Sequence, residues 1–192
     1  MVKEGSAQRV LDAAYRCFCR YGYRRTTISD IVDEAGMSRP TVYKYVGSKE
    51  EAAARVVRAR LDEAAAAARV AADAAGTPEE KVLAVLGVKL EVAFRLRRDG
   101  PAHARELLSV ASAQVPDMIG AYVDGLAELI AQALAEVAPD TARQAAGVLL
   151  TFTRGLEDDL RDVEAVRREL RAGVRMITAG ALGGRAGRKG EG

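Results

Sequence analysis

Tryptophan is absent from this 192-residue chain, histidine occurs once, cysteine twice, proline five times, and aromatic side chains make up only 5%. Each scarcity removes a class of protein. The single histidine, His103, cannot complete a Cys/His zinc site or a Ser/His/Asp triad, since the cysteines lie in a different part of the chain. Cys17 and Cys19 stand two positions apart, point to different faces of a helix and cannot bridge each other. Packed, reduced thiols are the expectation, with a redox switch as the alternative. No glycine-rich loop has a nucleotide-binding pattern, and carboxylate pairs such as Asp158 and Asp159 read as solvated helix surface. The chain is therefore not expected to be an enzyme, and no cofactor or metal is implied. The opening MVKEGSAQR lacks the apolar stretch of a signal peptide, and no uninterrupted apolar run reaches membrane-spanning length, so the expectation is a cytoplasmic protein.

What is present is helical. Apolar residues make up 49% and charged residues 29%, a globular balance, and the scarce prolines fall between periodic segments. Alanine, leucine, arginine and glutamate abound, which predicts an all-α fold of about nine helices. The net charge is only +2, but residues 1 to 50 hold nine Lys or Arg against six Asp or Glu. That excess suits a polyanion.

The stretch TTISDIVDEAGMSRPTVYKYVGSK, residues 26 to 49, carries the densest signal. Thr27 with Asp30 three residues on marks a helix start, and Ile28, Ile31, Val32 and Ala35 give that helix one apolar face. Gly36 ends it, and Ser38 can cap a second helix two residues later, with Pro40 in its first turn. Two helices joined by so short a glycine turn form a helix-turn-helix. In the second, Val42 and Val46 face inward, while Arg39, Thr41, Tyr43 and Lys44 project outward. Arginine suits guanine edges, threonine a phosphate or a thymine methyl, and tyrosine and lysine the phosphates. An ordinary polar surface helix has the same short pattern.

Wider context separates those readings. The first-helix run VLDAAYRCF, Gly22-Tyr23 followed by Thr26-Thr27, the AGMS turn, TVYKYV, and Ser48-Lys49-Glu50 recur together between Arg9 and Glu51. In these features the segment resembles the N-terminal domain of the TetR family of bacterial transcription regulators. The resemblance implies a DNA-binding set of Thr27, Ser38, Arg39, Pro40, Thr41, Tyr43, Lys44 and Lys49. Within it, Thr27, Thr41, Tyr43 and Lys49 touch the DNA backbone, and Arg39, Pro40, Thr41 and Lys44 face the groove. Many family members carry Gly or Ala where this chain has Arg39 and Pro40, so no base preference carries over. Arg24 and Arg25, just ahead of the motif, are either further phosphate contacts or solvated.

Around the motif the pattern stays helical. A first helix has Val10, Leu11, Ala14, Tyr15 and Phe18 in a stripe, with Gly22 as its C-terminal residue and Tyr23 packed back on it. Capping boxes at Ser48–Glu51 and Thr77–Glu80 start two long helices, and breaks at 99–101, 115–117 and 139–140 separate the rest. Three regions are expected: residues 1–50 as the helix-turn-helix domain, 51–182 as an effector-binding and dimerisation domain, and 183–192 as a disordered, basic, glycine-rich tail.

The second domain's role follows from the resemblance alone. A small-molecule effector is implied, and its candidate lining is Phe94, His103, Leu107, Met118, Tyr122 and Phe152, each of which also reads as plain core. So few aromatics suit a small or aliphatic ligand better than a flat aromatic one. Periodicity does not say whether the last two helices finish their own core or pair with a second copy. Family resemblance favours a homodimer through Leu149, Phe152, Leu156, Leu160, Val163, Val166, Leu170 and Val174. The expected function is a repressor that binds a palindromic DNA operator as a dimer and is released by its effector, with activator left open. The alternative is a small-molecule binding or scaffold protein whose helix-turn-helix does not read DNA.

Overall fold

The computed structural model describes residues 2–99, 103–157, 160 and 162–183. Among them the chain forms nine helices and no strand: α1 (Val2–Tyr21), α2 (Ile28–Ala35), α3 (Arg39–Val46), α4 (Lys49–Asp73), α5 (Pro78–Asp99), α6 (Ala104–Gln114), α7 (Met118–Ala135), α8 (Ala142–Leu156) and α9 (Val163–Gly183). The all-α expectation and its helix number hold. The tail beyond Gly183 and the Asp158–Asp159 pair lie outside the described residues.

The chain divides into two compact units, Met1–Asp62 with Arg95–Ile119, and Glu63–Phe94 with Gly120–Gly192. This division differs from two consecutive segments meeting at residue 50, because the unit that holds the helix-turn-helix also takes in residues from α4 and all of α6.

In the first unit, Val10, Ala14 and Phe18 of α1, Ile31 of α2, Val42 and Val46 of α3, Val56 of α4 and Leu107 of α6 close one core. The caps that frame α2 are as the sequence predicts. Thr27 Oγ1 accepts from the Asp30 amide at 3.2 Å, and the Asp30 carboxylate accepts from the Thr27 amide at 2.7 Å and from its hydroxyl at 2.8 Å. At the far end Gly36 has φ 60° and ψ 39°, a left-handed conformation that glycine adopts without a Cβ clash. Gly22 ends α1 with φ 80°, and the Tyr23 ring returns to lie 5.9 Å from that of Phe18. Thr26 is fully buried, and its hydroxyl donates to the carbonyls of Cys17 and Gly22 at the end of α1. Such a side-chain bond ties the entry of α2 to the exit of α1.

In the second unit, Leu86 and Leu90 of α5, Leu126, Ile130 and Leu134 of α7, Leu149 of α8 and Val174 of α9 are buried together. The Thr77–Glu80 capping box starts α5, with reciprocal bonds of 2.9 and 3.2 Å. By length and composition alone α7 could cross a membrane, at a mean hydropathy of 1.3. It is interrupted by Asp124 and Glu128, both exposed, and its Leu126–Ile130–Leu134 stripe lies in this core. A core helix needs no more explanation than that.

The residues expected at a dimer face have these places within the single chain. Of the eight residues expected at a dimer face, Leu149, Leu160, Val166, Leu170 and Val174 are buried within the chain's own second unit, and Phe152 and Leu156 pack against them. Only Val163 is exposed. The strongest stripe of each amphipathic helix is consumed by the α8–α9 pair itself. The large apolar side chains left outside on these helices, besides Val163, are Val148, at 48% exposure, and Met176, at 76%.

Two outcomes are expected from the first unit's bonds. Thr26→Val should lower the unfolding free energy in urea by about 1–3 kcal/mol, the worth of a buried hydroxyl's lost bonds. The hydrogen bonds from Thr27 hold the Asp30 carboxyl below its usual pKa. A depressed folded pKa means this contribution is present above the unfolded value of about 4 and is lost as pH falls through the folded one. Asp30→Asn should therefore flatten the acid limb of a stability-versus-pH curve measured by denaturant titration.

Candidate nucleic-acid interface

The candidate reading surface is α3. Eight residues long, RPTVYKYV, it contains no carboxylate. Pro40 sits in the first turn, where its missing amide hydrogen has no intrahelical partner to lose. Val42 and Val46 are completely buried, so the opposite side is fixed outward. On that side Arg39, Pro40, Tyr43 and Lys44 are exposed and Thr41 is half-buried. The Arg39 guanidinium lies 5.7 Å from the centre of the Tyr43 ring, one turn away, which holds the two at the front of the helix.

Ser38 behaves differently from a helix cap. Its backbone is extended at the N-cap position, yet its hydroxyl lies 2.8 Å from the Thr41 hydroxyl and makes no capping bond to an amide. The two hydroxyls form an exposed pair at the mouth of α3, where the helix's free amides and positive dipole end favour an anion. Thr27 is likewise exposed, but its hydroxyl is engaged in the α2 cap. The cap accordingly sets its position.

Lys49 is held from two sides. Its Nζ lies 4.5 Å from the centre of the Tyr23 ring and donates to the Arg24 carbonyl at 3.3 Å. Tyr23 is anchored in turn, because its hydroxyl donates to Glu50 Oε1 at 2.8 Å. Burial, followed by the Glu50 bond, pushes the Tyr23 phenol up to about 12, and the same bond is the main cause that holds the Glu50 carboxyl below its ordinary range. Two motif fragments some twenty-five positions apart in sequence thus meet as one cluster. Sequence reading named Lys49 but missed Tyr23 and Glu50 as the residues that position it.

Behind the turn between α1 and α2 lies α6. The His103 ring sits so close to Gly22 that a Cβ there would be 2.7 Å from Nδ1. Glu106 forms an ion pair with Arg24 Nε at 3.1 Å, although the Arg24 side chain is 91% exposed. Arg25 is exposed. On the other side, Glu34 pairs with Arg16 at 2.6 Å and lies 3.7 Å from Arg20, bracing α1 against α2.

The six candidate ligand-lining residues separate. Leu107 and Met118 are buried in the core of the first unit, and His103 packs on Gly22 there. Phe94, Tyr122 and Phe152 pack against the core of the second. Spacing in sequence could not divide them, because α6 resembles its neighbours in composition while packing with the helix-turn-helix. Among the described residues no group of three or more His, Cys, Asp and Glu is placed to hold a metal. Burial raises the Cys17 thiol to about 11 and also raises that of Cys19.

Comparison with known proteins follows the same geometry. Residues 10–56 match the family model described as bacterial regulatory proteins, tetR family. Over 61 residues the chain is 41% identical to the HTH-type transcriptional regulator YfiR of Bacillus subtilis, covering 32% of this chain and 30% of that one. Over 104 residues it is 30% identical to the HTH-type transcriptional repressor AcnR of Corynebacterium efficiens, covering 52% of this chain and 55% of the relative. The matches thus span about half or less of these curated relatives. In fold the likeness is broader: a TetR-family transcriptional regulator from Streptomyces coelicolor superimposes with a TM-score of 0.70 at 20% identity, over 93% of this chain and 97% of that one. Residues 10–56, which hold the helix-turn-helix, thus match the tetR family of bacterial regulatory proteins, and the fold of the chain is that of solved TetR-family regulators.

Proposed function

We propose that the protein is a transcriptional regulator that binds double-stranded DNA through α3, acting as a repressor released by a small-molecule effector. The observation that carries this reading is the outer face of α3: Arg39, Pro40, Tyr43 and Lys44 are exposed over fully buried valines, with no carboxylate on the helix. In this reading Arg39 pairs with a base edge, and Tyr43, Lys44, Lys49 and the Ser38–Thr41 hydroxyls meet phosphates. The relative AcnR, an HTH-type transcriptional repressor, agrees in kind.

A second copy completes the reading. Two helix-turn-helix motifs about 34–36 Å apart meet successive major grooves on one side of the duplex and select a palindrome. Because the strongest stripes of α8 and α9 are used internally, the dimer is proposed to form through the opposite face. There Val148 and Met176 stand exposed among Thr151, Gly155, Ala172 and Gly180, whose small side chains permit close helix approach. The effector acts by binding better to the form whose two motifs are wrongly spaced, which draws population from the DNA-competent form.

Two experiments test this function. In a gel shift on the DNA upstream of its own gene, the wild type should bind specifically, with affinity falling steeply as salt rises. Arg39→Ala with Tyr43→Ala should remove specific binding, at least about 1–3 kcal/mol from the arginine alone, and leave the dimer unchanged by sedimentation. Retained specific binding removes α3 as the reading element, and no binding by the wild type leaves the small-molecule binding or scaffold reading. Val148→Asp with Met176→Asp should give a folded monomer in analytical ultracentrifugation that no longer binds the palindrome. A dimer of unchanged stability would rule this face out.

A further inference from the structure

Tyr122 of α7 is only partly covered as a residue, yet its hydroxyl is buried and has no hydrogen-bond partner. The phenol's inner end therefore faces protein. Among the described residues it is the one buried side-chain oxygen or nitrogen left in this state. Buried polar groups are as a rule paired, because burial removes the bonds that water made. An unpaired hydroxyl marks a position where a partner belongs.

Its surroundings narrow the partner. Lys89 of α5 donates to Glu157 at the end of α8, and the two side chains are only 11% and 25% exposed. Burial first, and then the Glu157 charge, push the Tyr122 phenol up to about 12. Tyr122 thus keeps its proton at neutral pH and has it to donate. Phe94, Phe152 and Leu156 are, like Tyr122, partly buried and packed against the apolar core of the second unit.

We infer that the second unit holds an uncharged, largely aliphatic molecule whose single oxygen acceptor, a hydroxyl or carbonyl, takes the hydrogen bond from Tyr122. This inference rests on the effector reading above and names the chemical class of that effector. The charge argument is one of balance. Lys89 and Glu157 already neutralise each other, so an anionic head would be repelled by a half-buried carboxylate and a cationic head by a more deeply buried ammonium. A neutral head leaves the pair intact and satisfies the orphaned hydroxyl. The aliphatic body replaces water along the apolar side chains.

The test uses the full chain and three probes of equal length, octan-1-ol, octanoate and octylammonium, with binding followed by calorimetry. Octan-1-ol should bind more tightly than either charged probe, and Tyr122→Phe should weaken it roughly three- to tenfold, the worth of one neutral hydrogen bond. Without any probe, Tyr122→Phe should raise the melting temperature, since it removes an unpaired buried oxygen. Absence of octanol binding, preference for a charged probe, or an unchanged affinity in the variant overturns the inference. So does a lowered melting temperature, which would show that water already partners the hydroxyl. A parallel gel shift separates the two claims: DNA binding without octanol binding removes only the ligand site, while octanol binding without DNA binding removes the regulator reading and keeps the site.

Discussion

An isolated helix of eight residues does not hold its shape in water, because too few backbone bonds offset the cost of starting it. The recognition helix α3 exists only through the burial of Val42 and Val46 against α1, α2 and α4. Every outward property of α3 depends on that inward one. With the two valines fixed, rotation about the helix axis is fixed too, and the positions of Arg39, Tyr43 and Lys44 follow. The caps at Thr27 and Gly36 set the length of α2, and the Thr26 hydroxyl sets where it begins. Little of this is large by itself. The geometry is strict because each small bond restricts a different degree of freedom.

Local grammar made the first unit's motif readable in the sequence. Capping boxes, a glycine at a left-handed position and a proline in a first turn all act within a few residues, so a linear string contains them. Ser38 shows where that grammar stops. The residue type predicted a cap, but a hydroxyl three positions on offered a nearer partner. Tyr23, Lys49 and Glu50 show the same boundary from the other side. Their types were visible, while their meeting depends on the path of α1 through α4 and so belongs to tertiary structure.

In the second unit the difficulty was different in kind. Leu149, Val166, Leu170 and Val174 have the periodicity of a buried face, and they are buried. Periodicity says that a face needs cover and is silent on what covers it. Here the cover is the neighbouring helix of the same chain, which leaves a thinner apolar surface around Val148 and Met176 for anything else. Phe152 illustrates how closely the pair fits: a Cβ at Gly173 of α9 would lie 2.3 Å from its ring. Glycine at 173 is what lets α8 and α9 meet over an aromatic side chain. The split of the candidate lining, with Leu107 and Met118 in one core and Tyr122 and Phe152 in another, has the same origin in packing that no spacing encodes.

The hold on Lys49 has a consequence for the speed and selectivity of any encounter with a polyanion. A free lysine explores many rotamers, and immobilising such a side chain in a complex costs about 0.5–1.5 kcal/mol. Stacked on Tyr23 and bonded to the Arg24 carbonyl, this ammonium has already lost most of that freedom in the unbound chain. Its charge waits at a defined height beside α3, with little left to order on contact. Flexible lysines cling to any anion at any angle. A fixed one rewards a phosphate that arrives in register with the helix and gives little to one that does not.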